Sequence, residues 1–180
     1  LGLAQALCRL AVDLSASGEL RDALASAQES VDLYRSLSRD DPFGDETGVA
    51  QALVTLACCL SESGRPSGAF VAAQQALTVR RRLVRADPNA QMRRLAADLA
   101  RLAPRLRTVG YIDEALEQAR EAVSLYRRLD EDEIGSCTGD LAGALEVLAV
   151  CWAAVGRRGK ALEVAEEAAA LYRGLARRTP

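Results

Sequence analysis

The chain has 180 residues, of which 49% are hydrophobic and 27% are charged, and its formal net charge is −2. This near-neutral balance argues against nucleic acid as a partner, because such a surface needs a strongly basic face. No stretch approaches the roughly 18 apolar residues that span a membrane, and the chain has no histidine, the commonest general base and metal ligand. We therefore expect no enzyme, no cofactor, and neither a nucleic-acid nor a membrane partner.

Four glycines recur at one fixed interval along the chain. Successive glycines are 46 residues apart, and alanines recur seven residues before and five residues after each of them. These glycines are Gly18, Gly64, Gly110 and Gly156. Self-similarity at a period of this size is typical of a repeat array. We therefore expect one uninterrupted array whose units are roughly 1–42, 43–88, 89–134 and 135–180.

In the first two units, apolar residues with helical spacing stand on both sides of the glycine. Leu7, Leu10 and Leu14 precede Gly18 on one helix face, and Leu53, Leu56 and Leu60 precede Gly64 in the same way. Pro66 suits the first turn of a second helix, where no amide donor is needed. Asp41-Pro42 and Asp87-Pro88 mark the gaps that end the two units. Each unit is thus predicted to be a helix pair that turns at its glycine.

The third unit departs from the others at one position. Leu99, Leu102 and Leu106 precede Gly110, but Pro104 falls inside this first helix, where the other units carry valine or cysteine. Proline in a helix interior removes a hydrogen bond and costs roughly 3 kcal/mol. We expect a kink or a break near Arg101. Two interpretations stay open, a tolerated kink and a bend that shapes a binding groove.

The fourth unit repeats the helix pair, and it carries the clearest resemblance to a known family. The pattern of the tetratricopeptide repeat is matched by Leu145, Leu148-Ala149, Trp152, Ala161 and Ala168. The match recurs in all four units, although the period is longer than the family's typical length of about 34 residues. The long units resemble kinesin-light-chain-type repeats, as found in sensor arrays of bacterial STAND-type NTPases. The fold expected is all-α, an α-solenoid of four antiparallel helix pairs that forms a TPR-like superhelix.

The resemblance also implies a function and a binding surface. Arrays of this family bind a protein or peptide on a concave face that the first helix of each unit lines. Carried onto this chain by register, the expected partner-binding residues are Gln5, Arg9, Val12, Gln51, Thr55, Cys58, Arg101, Pro104, Glu146 and Val150. The clamp for a peptide carboxylate found in chaperone-binding members is absent, since its positions hold small or apolar residues. Arg9 and Arg101 are expected to favour acidic residues in a partner.

Five cysteines carry the remaining chemistry, and their number is odd and without CxxC spacing. Buried or half-buried thiols are the default interpretation, with a metal site and a regulatory redox pair as the alternatives. We expect all five to be reduced and none to bind metal. Cys137, in a Gly-Ser-Cys-Thr-Gly segment, is expected to be the most exposed.

The two ends of the array suggest an alternative function. The last helix carries Leu162, Ala165, Ala169, Tyr172 and Leu175, with no following repeat in this sequence to cover them, and solenoids need polar caps. The alternative to a partner-binding module is therefore a structural segment that forms a homo-oligomer through its terminal repeats, with no groove ligand. Because the chain starts at Leu1 within a repeat, we expect a fragment of a larger protein, and we expect that protein to be cytoplasmic and bacterial.

Overall fold

The computed structural model describes residues 1–40, 46–132 and 136–177, and these ranges contain helices and no strand. In chain order the helices are α1 (Gly2–Ala16), α2 (Leu20–Asp40), α3 (Glu46–Glu62), α4 (Pro66–Ala86), α5 (Pro88–Thr108), α6 (Ile112–Asp132), α7 (Thr138–Ala154) and α8 (Arg158–Ala176). The prediction of an all-α fold with eight helices in four pairs is confirmed.

Each helix pair turns at its glycine, as the sequence predicts. Gly18, Gly64, Gly110 and Gly156 have φ between 67° and 97°, a conformation that side chains other than glycine rarely adopt. At the first turn the Glu19 amide donates to the Leu14 carbonyl at 2.9 Å, and the Gly18 amide donates to the Ser15 carbonyl at 3.1 Å. The same pair of bonds recurs at the other three glycines. These Schellman-type bonds satisfy the last carbonyls of each first helix.

The chain divides into two compact units, Leu1–Pro88 and Asn89–Pro180. In Leu1–Pro88, α3 packs against α1, α2 and α4; in Asn89–Pro180, α7 packs against α6 and α8. The predicted repeat borders 42/43 and 134/135 lie outside the described residues, and the division of the array into four units stays a prediction.

Most of the recurrent alanines are buried. Ala11, Ala57 and Ala103, seven residues before their glycines, are at most 2% exposed. Five residues after the glycines, Ala23, Ala69 and Ala115 are equally buried, but Ala161 in α8 is only half-buried. A larger side chain at the buried positions would overpack the crossing.

The expected break near Arg101 does not occur, because α5 runs through Pro104 without interruption. Two side chains supply donors to carbonyls around the proline. Arg105 Nη1 donates to the Arg101 carbonyl at 3.2 Å, and Thr108 Oγ1 donates to the Pro104 carbonyl at 2.9 Å. Neither bond reaches the Ala100 carbonyl, which is the one that loses its helical partner because Pro104 has no N–H.

The prediction that Cys137 is exposed is wrong, since this residue is 1% exposed. Asp130, near the end of α6, binds Cys137 and Thr138. Its Oδ1 accepts hydrogen bonds from the Cys137 amide at 3.1 Å and from Thr138 Oγ1 at 3.2 Å. The carboxylate thus satisfies donors at the start of α7 and places the thiol inside. The other four cysteines are also buried, and none of the five forms a disulfide.

None of the helices in the described ranges is both long and apolar enough to cross a membrane.

Candidate partner-binding site

The predicted binding residues in Leu1–Pro88 lie on α1 and α3, and we call this the α1–α3 surface. Gln5, Arg9 and Gln51 are exposed, and Val12 is 42% exposed. An exposed valine beside an exposed arginine contributes nothing to the core of this unit. These residues therefore form a mixed apolar and cationic surface that is open to a partner.

Two of the predicted residues on α3 are buried. Thr55 is 1% exposed and Cys58 is 5% exposed. Thr55 Oγ1 donates to the Gln51 carbonyl at 3.2 Å and lies 3.9 Å from Cys8 Sγ, which is placed to donate to it. This contact joins α3 to α1 and leaves Thr55 no side-chain surface for a ligand. The α1–α3 surface is therefore offered mainly by α1.

A polar pair at the C-terminal ends of α1 and α3 borders the same surface. Ser15 Oγ donates to Glu62 Oε2, and these residues follow Val12 and Cys58 by three and four positions in their helices. Glu62 places a carboxylate at this end, whereas Arg9 lies in the middle of α1. The surface thus carries a positive charge at the middle of α1 and a negative charge at the C-terminal end of α3.

In Asn89–Pro180 the predicted residues lie on α5 and α7, the α5–α7 surface. Arg101 and Pro104 are half-buried, whereas Glu146 is exposed and Val150 is 49% exposed. The Tyr172 hydroxyl donates to Glu146 Oε2 at 3.2 Å. Burial first, and the Glu146 carboxylate second, raise the pKa of Tyr172, so its hydroxyl stays protonated and able to donate.

Arg107 adds a positive charge that the sequence prediction did not include. Its Nε is buried and has no hydrogen-bond partner within the described ranges. Burial raises the pKa of the Cys151 thiol, and the positive charge of nearby Arg107 partly opposes this rise. The signal was present in the sequence, because Arg107 follows Pro104 by three positions, which places it near the same helix face.

The described residues offer no site for a metal ion. Within residues 1–40, 46–132 and 136–177, no three cysteine, aspartate or glutamate side chains lie together in a way that could hold one. The chemistry of both surfaces is therefore that of exposed valines, half-buried or exposed arginines and a few carboxylates.

Comparison with known proteins identifies the repeats. The tetratricopeptide repeat family model matches residues 3–42 and 49–89. These matched residues fall in the first two predicted units, which are thus similar to tetratricopeptide repeats. The predicted resemblance is thereby confirmed, and the structural neighbours are kinesin-light-chain-like repeat proteins. No curated protein matches the sequence.

Solved structures share the tetratricopeptide-type fold. BtubC (BKLC) from P. vanneervenii has a TM-score of 0.76 at 18% identity, over 97% of this chain and 65% of that one. A kinesin-light-chain-like protein of Podosopora anserina with nearly identical TPR-like repeats has a TM-score of 0.50 at 16% identity, over 95% of each chain. The chain therefore spans less than two thirds of BtubC. At these identities the likeness concerns the fold.

Proposed function

We propose that the chain is a protein-interaction module of a larger cytoplasmic bacterial protein, a scaffold or sensor segment that binds protein or peptide partners. The proposal rests on the tetratricopeptide repeats, since this family generally serves as a scaffold for protein–protein interaction. The absence of histidine from the sequence supports a non-catalytic role.

The partner-binding residues are those of the α1–α3 and α5–α7 surfaces. The observation that carries this assignment is the exposure of Val12 and Val150, which hold the same position of the repeat and are 42% and 49% exposed. Arg9 precedes Val12 by three positions on α1, which places the two side chains on neighbouring positions of one helix face. An apolar contact next to an arginine suits a peptide that alternates apolar and acidic side chains.

Two charge reversals test the assignment unit by unit. Arg9→Glu alters the α1–α3 surface and Arg101→Glu alters the α5–α7 surface, so each variant reports on its own unit. The matched controls are Arg21→Glu on α2 and Arg128→Glu on α6, because both arginines are exposed and lie on second helices. All four variants should keep the helical circular dichroism of the parent.

Binding is first tested by pull-down from a library of synthetic peptides that vary in acidic and apolar content. The retained peptides are then titrated to measure their affinities. We expect retained peptides to be enriched in Asp and Glu. A double variant that combines Arg9→Glu and Arg101→Glu should bind them roughly tenfold more weakly, with lower sensitivity to salt. The controls should bind within about twofold of the parent. If the controls lose the peptide while Arg9→Glu and Arg101→Glu retain it, the partner binds the second helices and the assignment is wrong.

A further inference from the structure

An open groove lies between the second helices α2 and α4 of Leu1–Pro88, and we call it the α2–α4 groove. Its floor is α3, which packs against both helices and contributes Leu53, Leu56 and Leu60. Val71 on α4 adds an apolar wall and is 52% exposed. The groove has a volume of about 400 Å³, within the range of about 300–1,000 Å³ that is typical of ligand pockets. It is thus large enough for a bulky side chain.

In Asn89–Pro180 an indole ring lies at the corresponding place. Trp152 on α7 follows Leu60 by two periods of 46 residues and has the same register position. The centre of its ring is 4.5 Å from Lys160 Nζ on α8 and 5.9 Å from Arg120 Cζ on α6. Both distances are those of cation–π contacts. The ring therefore contacts both of the helices that correspond to α2 and α4.

The three residues of this contact have smaller or uncharged counterparts that line the α2–α4 groove. In place of Trp152, Arg120 and Lys160, these counterparts are Leu60, Gln28 and Gly68. Gly68 lies directly beside the floor, since a Cβ added to it would be 3.3 Å from Leu60 Cδ2. Without a side chain at this position, the space above Leu60 stays open. The α2–α4 groove is thus the site of Trp152 without its ring.

The edge of the groove also offers a positive charge. Arg35 is exposed, and its Nη2 donates to the uncharged amide of Gln75 at 2.9 Å. Two periods later, the corresponding arginine donates to the carboxylate of Glu167 at 2.7 Å. Asp32 on α2 accepts its hydrogen bond from Gln28, at 3.2 Å. A carboxylate brought by a partner would therefore be complementary to Arg35, as Glu167 is to its own arginine.

From these observations we infer that the α2–α4 groove binds an aromatic side chain from an acidic surface of a partner protein. The ring rests on Leu60 as the ring of Trp152 rests in the other unit, and a carboxylate of the partner pairs with Arg35. A protein side chain suits the groove because the groove is open to solvent, whereas sites for free small molecules enclose most of their ligand. This site is additional to the α1–α3 surface, which α1 mainly offers.

Two substitutions test the groove in different ways. Leu60→Trp fills it with the side chain that Trp152 supplies in the other unit. Val71→Glu removes the apolar wall, and this register position already carries an exposed glutamate, Glu163, on α8. The matched control is Val12→Glu, because Val12 is 42% exposed and lies on the α1–α3 surface of the same compact unit. Since both valines are exposed, their variants should keep the helical circular dichroism of the parent.

N-acetyltryptophanamide is the neutral probe, and two-dimensional amide NMR spectra follow its titration. The amide signals of Gly68 and Val71 should shift and saturate, whereas that of Lys160 should not, because a ring already fills the site there. The probe should bind roughly fivefold more weakly to Val71→Glu and should not bind to Leu60→Trp. Its affinity for Val12→Glu should stay within about twofold of that for the parent.

N-acetyltryptophan tests the charge, since it carries a carboxylate that the neutral probe lacks. It should bind the parent roughly two- to fivefold more tightly than N-acetyltryptophanamide does, and this difference should disappear in Arg35→Gln. Equal affinities of the two probes for the parent would show that Arg35 does not recognise the carboxylate and would overturn that part of the inference.

Three results would overturn the groove itself as an aromatic site. The first is the lack of a saturable shift at Gly68, or an equal loss of binding in Val12→Glu and Val71→Glu. The second is equally tight binding of N-acetylleucinamide, which would show an aliphatic occupant. The third is a shift of the groove signals with protein concentration alone, which would show a second copy as the occupant. Failure of the proposed function is distinguishable, because Arg9→Glu alters peptide binding and leaves the groove intact.

Discussion

The contact of Tyr34 with Gly48 can be tested, because the effect of Gly48→Ala on stability should change sign when the Tyr34 ring is removed. Gly48→Ala should destabilise the protein, although alanine favours helices over glycine by about 1 kcal/mol. The added Cβ would overlap the Tyr34 ring, which is 6% exposed and closely surrounded. Overpacking of this kind costs about 1–3 kcal/mol. The two contributions leave a net loss of about 0–2 kcal/mol.

Removal of the ring should convert this loss into a gain. In a Tyr34→Ala background the Cβ of Gly48→Ala meets no ring, so the alanine should stabilise by up to about 1 kcal/mol. The coupling energy of the cycle should then be about 1–3 kcal/mol. Urea unfolding followed by helical circular dichroism measures all four variants. An equal effect of Gly48→Ala in both backgrounds would refute the packing argument.

Three other predictions follow from the buried positions. Ala115→Leu should lower the free energy of unfolding by about 1–3 kcal/mol in the same assay, whereas Glu167→Gln, which loses only the exposed ion pair with Arg127, should change it by less than about 1 kcal/mol. Burial first, and the nearby Asp140 carboxylate second, raise the pKa of Tyr126 far above its ordinary value of 10.0. The Tyr126 hydroxyl therefore ionises at a lower pH in the unfolded chain than in the folded one, so stability present below pH 10 should be lost as the pH rises further. The Tyr126→Phe variant should lose less stability in an alkaline denaturation series. All five cysteines should react slowly with a thiol reagent in the native protein and quickly in urea; fast native reaction of Cys137 would contradict its burial.

The sequence predicts the fold well because the evidence for it is local and repeated four times. Each turn needs positive φ at one position, and glycine is the residue that adopts it without strain, so Gly18 and its counterparts mark the turns directly. Close helix crossings need small side chains, which the recurrent alanines supply. Ala161 departs from the pattern, since it is only half-buried.

The details of the site are less predictable because they depend on neighbours that are distant in the sequence. Register places Thr55 and Cys58 on the same face as Arg9, but it does not reveal that both side chains are buried. Cys137 looks exposed in a short polar segment until Asp130, seven residues earlier, is seen to bind its amide. Pro104 predicts a kink or a break, and the break does not occur because α5 continues. The function of both surfaces remains our proposal.

The burial of α3 has a consequence for local unfolding of the protein. Residues 52–59 of this helix are buried without interruption, since α1, α2 and α4 pack around them. Their amide protons can exchange with solvent only when several of those helices separate, whereas amides near the ends of α1 and α8 need only local fraying. Hydrogen exchange should therefore be slowest in the middle of α3. For the same reason, proteases should cleave near the ends of α1 and α8 before they cleave at the centre of Leu1–Pro88.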